Sequence, residues 1–239
     1  MRGRCGLCAV AAGVALLASA ASAAPAKTLE VAPTTLELTA GQPGLLYVAN
    51  HSASPVTVQI DVYDWRQAAN ADRLVLSDSA FVSPPLTTIA PGERQIVRVL
   101  ATPDARAQET SYRLRVSELP QRADTSGGVQ VLLQFSIPVF VRGAKNDSAL
   151  TWTATQSGTT LELAAHNTGD RTLKLAGLRV TSGSDAASVA PDRVTYILPD
   201  ASHVWDIAMP EFAQATRLHI DGKDERGHAS IAADIAVAR

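Results

Sequence analysis

Val56-Thr57-Val58-Gln59-Ile60-Asp61-Val62-Tyr63-Asp64-Trp65 decides the fold class. Val56, Val58, Ile60 and Val62 share one parity, and Thr57, Gln59 and Asp61 take the other. A period of two places the two sets on opposite faces of an extended strand. The apolar positions are β-branched, which suits a half-buried pleated surface. A turn cluster, His51-Ser52-Ala53-Ser54-Pro55, leads into the stretch.

Working outward, the same grammar repeats. Strand-length runs at 29–31, 36–38, 45–50, 80–83, 87–89, 95–101 and 111–117 lie between Gly, Pro, Asn and Asp clusters. The longest apolar run is 129–141, reading VQVLLQFSIPVFV. About seven strands in about 115 residues is the count of an immunoglobulin-like sandwich, here without a Cys…Trp…Cys signature. A polar, Gly-containing stretch at 142–148 interrupts the pattern. Strands then resume at 150–154, 160–166, 172–180, 193–198, 202–208, 217–221 and 230–237. The expectation is an all-β protein of two immunoglobulin-like β-sandwich domains, 24–143 and a smaller 144–239, with no exact internal repeat.

The first 23 residues read as a secretory signal. Arg2 and Arg4 open it, an apolar stretch spans 8–18, and Ala21-Ser22-Ala23 supplies a cleavage site. The alternative, an anchor helix, is disfavoured because the run falls short of the roughly 20 residues a membrane span needs. Both cysteines, Cys5 and Cys8, fall inside the signal. The mature chain is therefore expected to carry no disulfide framework, thiol nucleophile or Cys-based zinc site. The whole chain has 21 Lys and Arg against 23 Asp and Glu; loss of two Arg with the signal leaves a net charge of −4. That is not a nucleic-acid footprint. His51, His166, His203, His219 and His228 show no metal-ligand spacing. The sequence carries no G-x-S-x-G, H-E-x-x-H or phosphate-cradling Gly loop, so it points to no enzyme, no cofactor and no metal.

Several blocks together resemble one family. Ser83-Pro84-Pro85-Leu86, Ile89-Ala90-Pro91-Gly92 and Ile96-Val97-Arg98 form the first. Tyr112-Arg113-Leu114 leading to Glu118-Leu119-Pro120, then 129–141 followed by Arg142, form the second and third. Asn167, Ile197-Leu198-Pro199 and Trp205 continue the match in the second half. In this order they are similar to the periplasmic pilus (fimbrial) assembly chaperones, the PapD-like superfamily, and most of all to its archaic chaperone–usher branch. The resemblance implies two sandwiches in an L or boomerang, with a client pilus subunit held in the cleft and later passed to an outer-membrane usher. It implies a periplasmic location and β-strand addition, of which chaperone–pilin donor-strand complementation is a standing example. An exposed donor strand in the empty protein also implies a self-capping dimer. The alternative is a secreted structural or adhesive β-sandwich component of a surface assembly. A periplasmic hydrolase would need a catalytic cluster that the sequence lacks.

The resemblance assigns sites. Val129, Val131, Leu133 and Phe135 share one strand face and align with donor side chains; their bland reading is this protein's own core. Glu109, Arg142 and either Asp221 or Asp224 align with an inter-domain charge network; their bland reading is unrelated surface charge. Members outside the archaic branch anchor the subunit's C-terminal carboxylate with an Arg and a Lys. Those positions fall at Thr35 and Pro138, both uncharged. The replacement candidates are Arg113, Arg98 and Arg115, with Arg113 preferred because it points off the core face.

Overall fold

The computed structural model describes residues 29–68, 70–103, 108–120, 131–145, 147–189, 194–208, 212, 214–227 and 230–239. The signal reading and Val129 lie outside the described residues. Within them are eighteen β-strands and no α-helix.

The first sandwich has two sheets. One orders β1 (Leu29–Ala32), β3 (Gly44–Asn50), β8 (Arg94–Ala101) and β6 (Ala80–Ser83). The other orders β2 (Leu36–Leu38), β10 (Gln134–Val141), β9 (Thr110–Glu118), β4 (Val56–Ala68) and β5 (Ala71–Leu76), with β7 (Leu86–Ile89) beside β4. Their inner faces bury Leu46, Val48, Val58, Ile60, Val97, Val99, Leu114 and Val116 in one apolar cluster. The alternation of 56–62 is seen directly, with its even residues buried and its odd ones facing outward.

Among the described residues the first sandwich has ten strands, against about seven expected. Pro33 separates β1 from β2, and Pro84-Pro85 separates β6 from β7. β5 was not anticipated: all six of its residues are exposed, so Ala71–Leu76 carries no burial alternation to read. Within the run 129–141, regular pairing with the neighbouring strand β9 covers Gln134–Val141 among the described residues.

The second sandwich contains β11 (Leu150–Ser157), β12 (Thr160–Asn167), β13 (Leu173–Ser182), β14 (Asp185–Ser188), β15 (Thr195–Ile197), β16 (Ser202–Ala208), β17 (Arg217–Asp224) and β18 (Ser230–Ala238). The order is β14-β13-β17-β18-β11-β12-β16, with β15 beside β13. Its core gathers Leu161, Leu163, Leu173, Val180, Ile197, Phe212, Leu218 and Ile220, and it also takes in Trp65 and Phe140 from the first sandwich. Apolar packing therefore runs across the junction.

The two sandwiches share one corner device. Asn50 and Asn167, both fully buried, each end a strand. Each Oδ1 accepts from the N–H two residues on, Ser52 and Gly169. Each Nδ2 donates to the carbonyl four residues on, Ser54 and Arg171, and to a distant carbonyl, Ile89 and Ile197. A buried amide that meets this many partners fixes a turn that backbone bonds alone would leave open.

Candidate functional site

β10 is half enclosed. Along its whole length it pairs antiparallel with β9, from Gln134↔Ser117 to Val141↔Thr110. On its other edge β2 pairs only with Val139, Phe140 and Val141. Among the described residues no strand covers that edge over 134–138. The direction of the backbone groups follows from two bonds. The Leu133 carbonyl accepts from Glu118 N–H on the β9 side, and Arg142 N–H donates to the Leu38 carbonyl on the other. Alternation then aims the peptide groups of Gln134 and Ser136 at the open edge. Pro138 shares their direction but has a carbonyl only, which an edge tolerates and a sheet centre does not.

The side chains of β10 divide by parity. Ile137, Val139 and Val141 are buried in the first core, and Leu133 and Phe135 pack against its rim. Val131 continues the same parity and is 76% exposed. The expected donor set is thus an outward continuation of the core face: Leu133 and Phe135 serve their own fold in part, while Val131 does not. On the opposite face, Phe140 is fully buried against Trp65 and Tyr196, with ring centroids 6.1 and 6.2 Å away.

The cleft face of the same sheet carries arginines stacked on aromatic rings. The Arg113 guanidinium lies 3.7 Å from the Trp65 ring centroid and 5.2 Å from that of Tyr196. Its nearest carboxylate, Asp72, is 3.9 Å away. Burial pushes the Arg113 pKa down, against the opposing pull of Asp72 and Tyr196. Arg113 is therefore a desolvated, weakly paired cation. It borders a cleft of about 530 Å³ lined also by Trp65, Asp72, Tyr196, His203 and Trp205. Arg115 stacks 4.2 Å over Tyr63 on the same face. Arg98 stands exposed on β8, in the other sheet, and cannot share a site with these two. Thr35 lies half-buried between β1 and β2.

The charge network at the junction differs from the expected one. Glu109 is buried and central, but its cations are Arg226 and Arg171. Arg226 donates to both Glu109 oxygens at 2.9 and 2.8 Å, to Glu37 at 2.6 and 3.1 Å, and to the Thr172 carbonyl at 2.8 Å. Its guanidinium also lies 3.8 Å over the Phe140 ring. Burial alone would lower the Arg226 pKa; the bonds and charges of Glu109 and Glu37 outweigh it and raise the value. Arg142 is exposed beyond the end of β10, where its backbone rather than its side chain does the tethering. Asp221 is exposed in mid-β17, opposite Arg179 and Ala232. Asp224 is buried and accepts from Lys174 N–H and Arg226 N–H, so it shapes the turn that presents Arg226.

Sequence reasoning missed Glu37, Arg171, Arg226 and two amide clamps. Gln67 donates to the Tyr196 carbonyl at 2.9 Å and accepts from Leu198 N–H at 3.0 Å. Asn70, at φ +63° in the β4–β5 turn, does the same to Val204 at 2.9 and 2.8 Å. Each amide occupies both backbone groups of the other sandwich's chain, as a further strand would. The partners are about 130 residues apart in sequence, at separations of 129 to 134, and no local pattern marks such pairs. Asp224-Glu225-Arg226-Gly227 is legible in the sequence as a turn, but not as a source of the junction's cation.

These features agree with what the chain resembles. Residues 28–146 match the PapD N-terminal domain model, described as pili and flagellar-assembly chaperone. No curated protein matches the sequence. Among solved structures, the CsuC–CsuE chaperone–tip subunit pre-assembly complex of archaic Csu pili from Acinetobacter baumannii aligns at 23% identity and TM-score 0.69, covering 89% of this chain and 100% of that one. The SafA pilin–SafB chaperone complex of Salmonella enterica aligns at 18% and 0.60, covering 87% and 95%. The Pseudomonas aeruginosa CupB2 chaperone aligns at 17% and 0.59, covering 87% and 100%. At these identities the likeness is one of fold, and it extends over both sandwiches. Through the domain at 28–146 the chain belongs to the family of pili and flagellar-assembly chaperones.

Proposed function

We propose that this chain works in the periplasm, where it binds pilus subunits by donor-strand complementation and hands them to an outer-membrane usher. The observation that carries this is the unfinished edge of β10: 134–138 has a β-strand on one side only among the described residues. A subunit sandwich lacking a strand has the complementary defect, an unpaired edge beside an apolar groove. Pairing the two edges satisfies backbone groups on both, and side chains of one parity fill the groove. Val131, Leu133 and Phe135 present that parity here; Val129 would extend it. The exposed Val131 and Leu132 make a self-capped dimer of empty chains part of the same reading.

Arg113 is the preferred anchor for a subunit carboxylate. It is half-buried on the cleft face, between aromatic rings, and its nearest carboxylate among the described residues is 3.9 Å away. An incoming anion would gain a desolvated cation without stripping a strong existing partner. Arg115 lies on the same face, nearer the open end of β10.

The test is co-expression with an N-terminally truncated pilus subunit from the same genome. Recovery of a 1:1 complex with the wild-type chain, lost in Val131→Glu, is the expected result. A Val131→Glu chain that still captures the subunit would reject strand donation through this face. Loss of capture in Arg113→Ala with retention in Arg98→Ala would support the anchor, and wild-type capture by Arg113→Ala would remove it.

A further inference from the structure

The paired part of β10 begins with an irregular bond. Leu133 stands opposite Glu118, one step beyond the Gln134↔Ser117 pair. In a hydrogen-bonded antiparallel pair the two residues exchange two backbone bonds. One is present: Glu118 N–H donates to the Leu133 carbonyl at 2.9 Å. The return bond goes elsewhere. Leu133 N–H donates to the Glu118 carboxylate, Oε2, at 3.1 Å. A side chain has taken the place of the backbone carbonyl. Glu118 is itself held from the other side, because Leu119 N–H donates to the Thr57 carbonyl of β4 at 2.8 Å. Next to it, Gln134 Nε2 donates to Ser117 Oγ at 3.0 Å. β9 ends at Glu118, and Pro120 has no N–H with which to extend the ladder. Val131 and Leu132, just upstream of the bonded pair, are exposed.

We propose that Glu118 is a positioning residue that latches the start of the donor strand. Its carboxylate holds Leu133 at the mouth of the sandwich, which fixes the direction of Val131 and of the open-edge groups of Gln134 and Ser136 before a subunit arrives. A bond from an amide to an ionised carboxylate is stronger than its neutral counterpart, so one side chain can hold a strand end that the ladder no longer supports. An edge ordered in advance spares the subunit the entropy of ordering it. The inference rests on the subunit-binding reading above.

The experiment compares wild type, Glu118→Ala and Glu118→Gln. Amide hydrogen exchange at Leu133 and Gln134 is read in the free chain, and capture of the truncated subunit is read on co-expression. Glu118→Ala should speed Leu133 exchange about tenfold, with protection elsewhere in β9 and β10 unchanged. It should also weaken capture about tenfold. Glu118→Gln keeps an acceptor oxygen in place and should restore most of both. Wild-type exchange at Leu133 in Glu118→Ala overturns the latch, and so does a Glu118→Gln chain as impaired as the Ala variant. A wild-type chain that captures no subunit overturns the binding reading, and the latch's purpose falls with it. Wild-type capture together with unaltered exchange in Glu118→Ala overturns the latch alone.

Discussion

One strand, β10, has two unlike ends. At Val139–Val141 it lies between β2 and β9, its odd side chains fill the first core, and Phe140 enters the second. Beside that end, Glu37, Glu109, Arg171 and Arg226 form a charge-balanced cluster that joins the sandwiches. At 134–138 the same strand has one neighbour among the described residues, and its apolar parity runs out into solvent at Val131. The closed end holds the fold, and the open end is the one proposed to bind. An exposed apolar edge is an aggregation hazard, and only a rigid frame keeps it local.

Substitutions at the closed end should break the fold. Glu109→Ala leaves Arg226 and Arg171 buried against Glu37 alone, and losing one partner of a buried pair costs about 3–5 kcal/mol. A denaturant midpoint within error of wild type would show the cluster to be ornamental. Phe140→Ala removes a fully buried ring packed on Trp65, Tyr196 and Arg226. Its expected cost is about 3–5 kcal/mol, read by the same titration.

Phe135→Ala makes the same chemical change at the open end. Phe135 is partly buried and packs against the core rim, so the loss should be smaller, roughly 2 kcal/mol. Equal losses for the two phenylalanines would erase the distinction between the ends. Val131→Glu should shift stability by no more than about 0.5 kcal/mol while abolishing subunit capture. A large drop in melting temperature would place Val131 in the protein's own core. Arg142→Ala should be the mildest, within about 0.5 kcal/mol, because its side chain is exposed and its tether is a backbone bond. A large destabilisation would restore Arg142 to the junction.

Asn50 and Asn167 show what lies between reading and seeing. Asn167 could be placed in a tight turn from its neighbours Thr168-Gly169-Asp170. That it repeats the three bonds of Asn50, down to the two- and four-residue offsets, appears only when the distant carbonyls of Ile89 and Ile197 arrive. The two halves share this geometry without an exact sequence repeat.

The amino-acid sequence alone determined the strand character, the two-sandwich architecture and the family. These rest on alternation within single strands, on turn residues and on the order of short blocks, all of which are local. Through the family resemblance it also pointed to Glu109 as a junction residue, and strand parity set Arg113 off the core face. Tertiary structure decided the rest. It chose Arg226 and Arg171 over Arg142, separated Arg98 from Arg113 by a whole sheet, and let Gln67 and Asn70 clamp chain some 130 residues away. A strand's parity is written in its own residues. The partner of a charge or an amide is set by which distant backbone folds beside it, and that depends on every turn between.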